Sequence, residues 1–111
     1  QNSDFNTNGT FTAPVTGRYF LQSTIYTTGG TNFTGCLRFI NTSNRNFRQD
    51  FLFGNPVAIA GESDISIYFL ADMDAADVSD TSVQIADTGG KIDDILGGAT
   101  PFTWFCGYLS C

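Results

Sequence analysis

The residues best suited to chemistry lie in one acidic stretch of the chain. It holds four carboxylates in nine positions: Asp72, Asp74, Asp77 and Asp80. Calcium binds several hard oxygen ligands on a flexible loop, so these four are candidate calcium ligands. The stretch does not fit an EF-hand loop, because Ala76 replaces a ligand, Asp77 replaces the glycine and no Glu closes it. The other interpretation, a solvated acidic turn, stays open beside it.

Catalytic chemistry is not predicted for this chain, and no catalytic residue is assigned. The sequence contains no His, which excludes Ser-His-Asp and Cys-His arrangements within one chain. It also lacks a nucleophile elbow, a phosphate-binding loop and an HExxH motif. Asp93 and Asp94 are adjacent, and adjacent strand residues point to opposite faces, so they would not act on one substrate. We therefore expect a protein that is not an enzyme and needs no cofactor, calcium aside.

Charge limits the classes of partner. The 111 residues carry a net charge of −6, with only 5 Lys and Arg. Binding to nucleic acid requires clustered basic residues, so nucleic acid is not an expected partner. No apolar run reaches the roughly 20 residues that span a bilayer, and no membrane insertion is expected. Most of the positive charge comes from four arginines, which form either a receptor-binding patch or ordinary surface ion pairs: Arg18, Arg38, Arg45 and Arg48.

The elements that must position these residues are strands. In Gly9–Tyr26, apolar and polar residues alternate with a period of two, which indicates strands with one buried face. Pro14 cannot donate a ladder hydrogen bond and Gly17 can turn the chain, so a corner is predicted between two strands. Similar runs follow to the end of the chain, separated by turns at Thr27–Thr31, Asn41–Asn46 and Gly61–Asp64. Lys91–Leu96 fits a strand or one helical turn.

Two strands carry apolar residues on both sides. They are Phe33–Asn41 and Phe102–Cys111. One face of an antiparallel sheet usually contacts water, so a second apolar face suggests a subunit interface. About eight to ten short strands with Gly, Asn and Asp turns are typical of an all-β, antiparallel two-sheet sandwich or jelly roll of one domain.

Motifs at both ends of the chain, at 11–19 and 105–109, resemble those of the C1q-like domains of the complement and tumour necrosis factor superfamily. Phe-Thr-Ala-Pro-Val-Thr-Gly-Arg-Tyr at 11–19 is similar to the entry motif of that family. Phe105-Cys106-Gly107-Tyr108-Leu109 is similar to its last strand, and Leu37-Arg38-Phe39-Ile40-Asn41 to an inner one. The segments at 41–46 and 70–77 look more like the C1q-like domains predicted in phage structural proteins.

The resemblance implies a jelly roll that forms a homotrimer. The expected interface residues are Phe33, Leu37, Phe39, Trp104, Phe105 and Tyr108. It also implies that Cys36 and Cys106 lie close together on neighbouring strands, as two thiols or as a disulfide. Cys111 would then be left over for contact with another chain. Some C1q-like heads bind calcium near their apex.

Two functions follow from the resemblance. The first is a structural and adhesive head on a phage fibre or another extracellular appendage, where it would bind a receptor protein or carbohydrate on the host surface. The second is a secreted, soluble C1q-like recognition protein. In either case we expect ligand recognition by the loops Thr27–Asn32, Asn41–Asn46 and Asp74–Asp80.

The start of the chain gives one further expectation. C1q-like domains usually begin with a strand that lies beside their last one, and Gln1–Asn8 has no alternating apolar pattern. We therefore expect that residues 1–111 are the C-terminal part of a longer chain. An upstream segment, or another chain, would then complete the sheet beside Phe102–Cys111.

Overall fold

The computed structural model describes residues 9–86, 92–97 and 103–111, and no helix occurs among them. All regular structure there is antiparallel strand, which confirms the predicted all-β class. The six strands are β1 Phe11–Thr12, β2 Gly17–Thr42, β3 Asn46–Met73, β4 Val78–Ala86, β5 Ile92–Ile95 and β6 Trp104–Leu109. Lys91 lies outside the described residues, but β5 shows that this ambiguous stretch contains a strand.

Two long strands form the frame of the molecule. β2 and β3 pair antiparallel from Gly17 opposite Met73 to Asn41 opposite Asn46. The turns predicted at Thr27–Thr31 and Gly61–Asp64 are wrong, because both stretches continue these strands. The polar and glycine residues of these stretches are typical of turns, but pairing between the two strands determines the backbone conformation.

The first of these stretches contains a bend. Gly29 has φ 68° and Asn32 has φ 53°, both in the left-handed region. The pairing register shifts three times between Thr28 and Gly35. Such irregularities bend a strand and increase its twist without ending it. Gly29 therefore has the positive φ that is typical of a turn, but it lies at a bend within a strand.

This bend divides the pairing of the long hairpin into two layers. In the first layer, residues 17–28 of β2 pair with β3, and residues 19–24 pair with β6 on the other side. In the second layer, residues 35–42 of β2 lie between β3 and β4, and β1 pairs with the other edge of β4. β5 pairs with β2 at the bend itself. Each long strand therefore belongs to both layers.

The core lies between the layers. Its fully buried members come from β1, from both layers and from the corner after β1: Phe11, Ala13, Tyr19, Leu21, Ile40, Ile67, Ala71 and Met73. Phe47 of the second layer stacks on Phe69 of the first, with ring centroids 4.9 Å apart. Each large buried apolar side chain contributes about 1.5–3 kcal/mol. Burial of these side chains holds the two layers together.

A hydrogen bond also crosses the interior. The Ser23 hydroxyl lies 2.7 Å from the Thr81 hydroxyl, which donates to the carbonyl of Phe39 at 2.9 Å. Because the proton of Thr81 is used on that carbonyl, Ser23 must be the donor between the two hydroxyls. The bond joins β2 of the first layer to β4 of the second.

The predicted corner after β1 is present. The hydroxyl of buried Tyr19 donates to the carbonyl of Val15 at 2.6 Å and accepts its N–H at 3.3 Å. Ala13 exchanges backbone hydrogen bonds with the turn after β3, donating to Asp77 and accepting from Ala76 at 2.8 Å each. These bonds fix one end of the sandwich, where the candidate site lies.

Candidate functional site

An open pocket lies at this end of the molecule, with a volume of about 680 Å³. We call it the end pocket. Its lining comes from the start of β2, the β2–β3 turn, the end of β3 and the second residue after β6: Thr16, Gly17, Arg18, Asn44, Arg45, Asp72, Met73, Asp74 and Cys111. The pocket brings together two guanidinium groups and two carboxylates, so it can hydrogen-bond a polar ligand from several sides.

One ion pair forms a wall of the end pocket. Arg18 Nε lies 2.8 Å from Asp72 Oδ1, and the strands place the two residues directly opposite each other. The hydrogen bond from Arg18 lowers the pKa of Asp72 below its ordinary value, and the same bond raises the pKa of Arg18. Among the described residues the ion pairs are this one and Arg48–Asp50. Arg45 is exposed, and its charge also contributes to lowering the pKa of Asp72.

Two of the loops predicted for recognition meet beside the end pocket. Asn44 donates to the Asp77 carboxylate at 3.0 Å. Ser43 N–H donates to the carbonyl of Val78 at 3.0 Å, and Val78 N–H donates back to the Ser43 hydroxyl at 2.9 Å. The turn Asn41–Asn46 and the connection Asp74–Asp80 therefore form one surface. The third predicted loop, Thr27–Asn32, belongs to the bend of β2 and does not line the pocket.

The predicted calcium ligands do not assemble into a site. Asp72 is paired with Arg18, Asp77 accepts from Asn44 and from the N–H of Asp74, and Asp80 accepts from the amide of Asn41. No group of three or more candidate metal ligands occurs in the described part of the chain. Donors of the protein itself bind the carboxylates of Asp72, Asp77 and Asp80, which favours the alternative of a solvated acidic turn.

A second feature is an exposed aromatic surface on the outside of the first layer. We call it the aromatic face; it consists of Phe20, Tyr68, Leu70, Trp104 and Tyr108. The ring of Phe20 lies 6.0 Å from that of Tyr68 and 5.2 Å from that of Tyr108. Tyr68, Leu70 and Tyr108 are 66%, 55% and 58% exposed. An exposed apolar surface of this kind is a candidate interaction site.

The structure separates five of the six residues expected at the trimer interface. Trp104 and Tyr108 lie on the aromatic face, but Phe105 packs against the core. Leu37 and Phe39 alternate with buried Cys36, Arg38 and Ile40, so they face outward from the second layer. The side chain of Phe33 lies outside the described residues.

Sequence reasoning missed three members of the aromatic face: Phe20, Tyr68 and Leu70. The signal was present, since each is an apolar residue at the outward position of an alternating strand. The buried residues on the other face of each strand explain the alternation by themselves, so the pattern does not single out the outward residues. Only the register, which places Phe20 opposite both Leu70 and Tyr108, shows that they form one surface.

The register does not place Cys36 and Cys106 opposite each other. Their strands do pair, but Cys106 lies opposite Gln22 in the first layer, whereas Cys36 lies opposite Phe51 and Ile85 in the second. All three thiols, including that of exposed Cys111, are free. Burial raises the pKa of both the Cys36 and the Cys106 thiol.

The remaining predicted groups have separate positions. Asp93 is half-buried and Asp94 exposed, as expected for neighbours on a strand. Of the four arginines, two pair with carboxylates, Arg45 lines the end pocket and Arg38 is buried. In the described part of the chain there is no helix long and apolar enough to cross a membrane. Gln1–Asn8 lie outside the described residues, so the expectation of an upstream strand stays a prediction.

Comparison with known proteins adds no family: no family model matches the chain, and no curated protein matches it either.

Proposed function

We propose that this domain is a non-enzymatic C1q-like jelly-roll head that assembles as a homotrimer. Its place would be a virion fibre or another extracellular appendage, and its role would be adhesion to a host or cell-surface ligand. The observation that carries the proposal is the aromatic face.

The strand order supports a jelly roll. β1 lies in the second layer. β2 runs from the first layer into the second layer, and β3 returns to the first layer. The chain enters the second layer again in β4 and ends in the first with β6. Repeated crossing between two antiparallel layers is typical of Greek-key and jelly-roll domains, and a simple meander lacks it.

The chemistry of the aromatic face suits contact with identical copies. Tyr and Trp are enriched in the cores of protein interfaces, where charged residues are depleted. The five residues of the face carry no charge, although the whole chain carries −6. Three copies that pack through the aromatic face therefore do not bring the negative charges of one copy against those of another. At the border, Arg18 and Asp72 already neutralise each other.

The end pocket supports ligand recognition as the role of the trimer. It leaves the aromatic face free for assembly, since the two share no residue. Its guanidinium, carboxylate and amide groups match the hydroxyl and carboxylate groups of a carbohydrate or a polar peptide.

Light scattering after size-exclusion chromatography tests assembly. At micromolar concentration we expect a mass three times that of the 12.0 kDa chain. A monomer mass for the folded domain would refute the trimer. A glycan array probed with the wild-type domain and with Arg45→Ala tests carbohydrate recognition separately: binding that is equal in both, or absent from both, would refute the end pocket as a carbohydrate site.

A further inference from the structure

The most unusual group in the interior is the side chain of Arg38. It is 1% exposed and lies on the inward side of β2, between buried Cys36 and Ile40. Its Nε and Nη1 atoms are buried and have no hydrogen-bond partner. The two ion pairs among the described residues belong to Arg18 and Arg48. Among the residues that the structure describes, no counter-charge therefore contacts this buried cation.

Burying a charged side chain without a counter-charge destabilises the folded state. Removing one partner of a buried ion pair strongly destabilises the folded state, because it leaves an uncompensated charge. Burial lowers the pKa of Arg38, but an arginine side chain does not lose its proton in a folded protein. The guanidinium keeps its charge and its N–H donors, so it needs an acceptor.

The groups around Arg38 do not supply that acceptor. Asp93 of β5 is near enough for its charge to raise the pKa of Arg38, but it forms no ion pair with it. Burial raises the pKa of Asp93 itself, because desolvation disfavours its charged form. Cys36 is a weak acceptor, and the register places Gln49 and Val83, neither of them charged, on either side of Arg38.

We propose that a small inorganic anion, such as chloride, binds between the two layers on the unpaired Nε–H and Nη1–H groups of Arg38. Full burial limits the ligand to a few atoms. Asp93 sets the affinity by opposing the anion electrostatically. The bound anion would stabilise the sandwich where β5 closes over the bend of β2, independently of assembly and of ligand recognition at the end pocket.

Thermal unfolding in sodium chloride, against sodium gluconate at equal ionic strength, tests the proposal. Chloride that binds only the folded state stabilises it in proportion to the logarithm of its concentration above the dissociation constant. We expect the melting temperature of the wild type to rise with chloride but not with gluconate. Arg38→Met, which keeps the apolar stem, should lose this difference. An equal chloride response in wild type and Arg38→Met would overturn the proposal.

Asp93→Asn separates the anion from the alternative in which Asp93 alone neutralises Arg38. If the anion binds, removing this negative charge lowers the chloride concentration that gives half of the stabilisation. If Asp93→Asn lowers the melting temperature and chloride has no effect on either protein, the proposal is wrong.

Bromide soaking of wild-type crystals gives a readout that requires no variant. We expect an anomalous peak within hydrogen-bonding distance of Arg38 Nε or Nη1. A map with bromide at the surface alone would refute the site.

Discussion

Tyr108→Ser is the sharpest test of assembly through the aromatic face. Tyr108 is 58% exposed. Aromatic side chains bury about 150–250 Å² each, so roughly 100 Å² of Tyr108 is left for a partner to cover. At about 25 cal/mol per Å², its burial contributes roughly 2.5 kcal/mol per subunit, or about 7–8 kcal/mol per trimer.

This energy converts into a measurable shift. Since 1.4 kcal/mol is a factor of ten, the monomer–trimer dissociation constant should rise by about five to six orders of magnitude. The midpoint concentration of a trimer scales as the square root of that constant, so it should rise by several hundredfold. Sedimentation velocity over a dilution series measures it. Loss of the contact with Phe20 destabilises the monomer by only about 0.5–1.5 kcal/mol, so the variant should stay folded.

Leu52→Ser is the matched control. Leu52 is an exposed apolar residue at 69%, but it lies on the second layer. Its replacement should leave the midpoint within about threefold, on the general expectation for surface positions outside an interface. If Tyr108→Ser leaves the midpoint unchanged while Phe39→Ser raises it, the subunits associate through the second layer and the assignment of the aromatic face is refuted.

Four further predictions concern stability and charge. Gly35→Ala should lower the free energy of unfolding in urea by about 1–3 kcal/mol, because the added Cβ would lie 2.7 Å from the carbonyl oxygen of Phe51. Gly61→Ala should leave it unchanged, because no atom lies within 4 Å of the added Cβ. Ala76→Gly should not destabilise and should raise the melting temperature, because Ala76 has φ 74°; a decrease would contradict the backbone argument. Tyr19→Phe should cost about 1 kcal/mol through its lost bonds to Val15, and an unchanged urea midpoint would count against them. The pKa of Asp72 is lower in the folded state than in the unfolded state. Its pairing with Arg18 therefore stabilises the folded state at pH values above the unfolded-state pKa, and this stabilisation is lost as the pH falls through the folded-state pKa. NMR titration of Asp72 should give a midpoint below 3.8 in the wild type and a midpoint closer to 3.8 in Arg18→Gln.

The sequence predicted the strands well where one face is buried and the other wet. The alternation around Tyr19 and Leu21, and again around Ile67 and Ala71, placed these residues inward, and the structure buries all four. The corner at Pro14 followed from backbone chemistry. These features are local, so a period of two and the special residues suffice to predict them.

Features that depend on pairing between distant segments could not be predicted in the same way. Gly29 signals a positive φ, but a turn and a bend within a strand both use one, and only the partner strand decides between them. Asp72 was taken as a calcium ligand because its partner Arg18 lies 54 positions away in the sequence. The burial of Arg38 was hidden because a charged residue is normally assigned to the surface.

The pairing of β6 with β2 also bears on biosynthesis. Tyr19 lies opposite Leu109, and the residues between them must be made before the two strands can meet. Contacts of such high sequence separation are slow to form. Trp104 and Tyr108 arrive with β6, so a nascent chain cannot present the complete aromatic face until the end of this domain has left the ribosome. In the proposed assembly, products truncated before β6 lack Trp104 and Tyr108 and would therefore be excluded from the trimer.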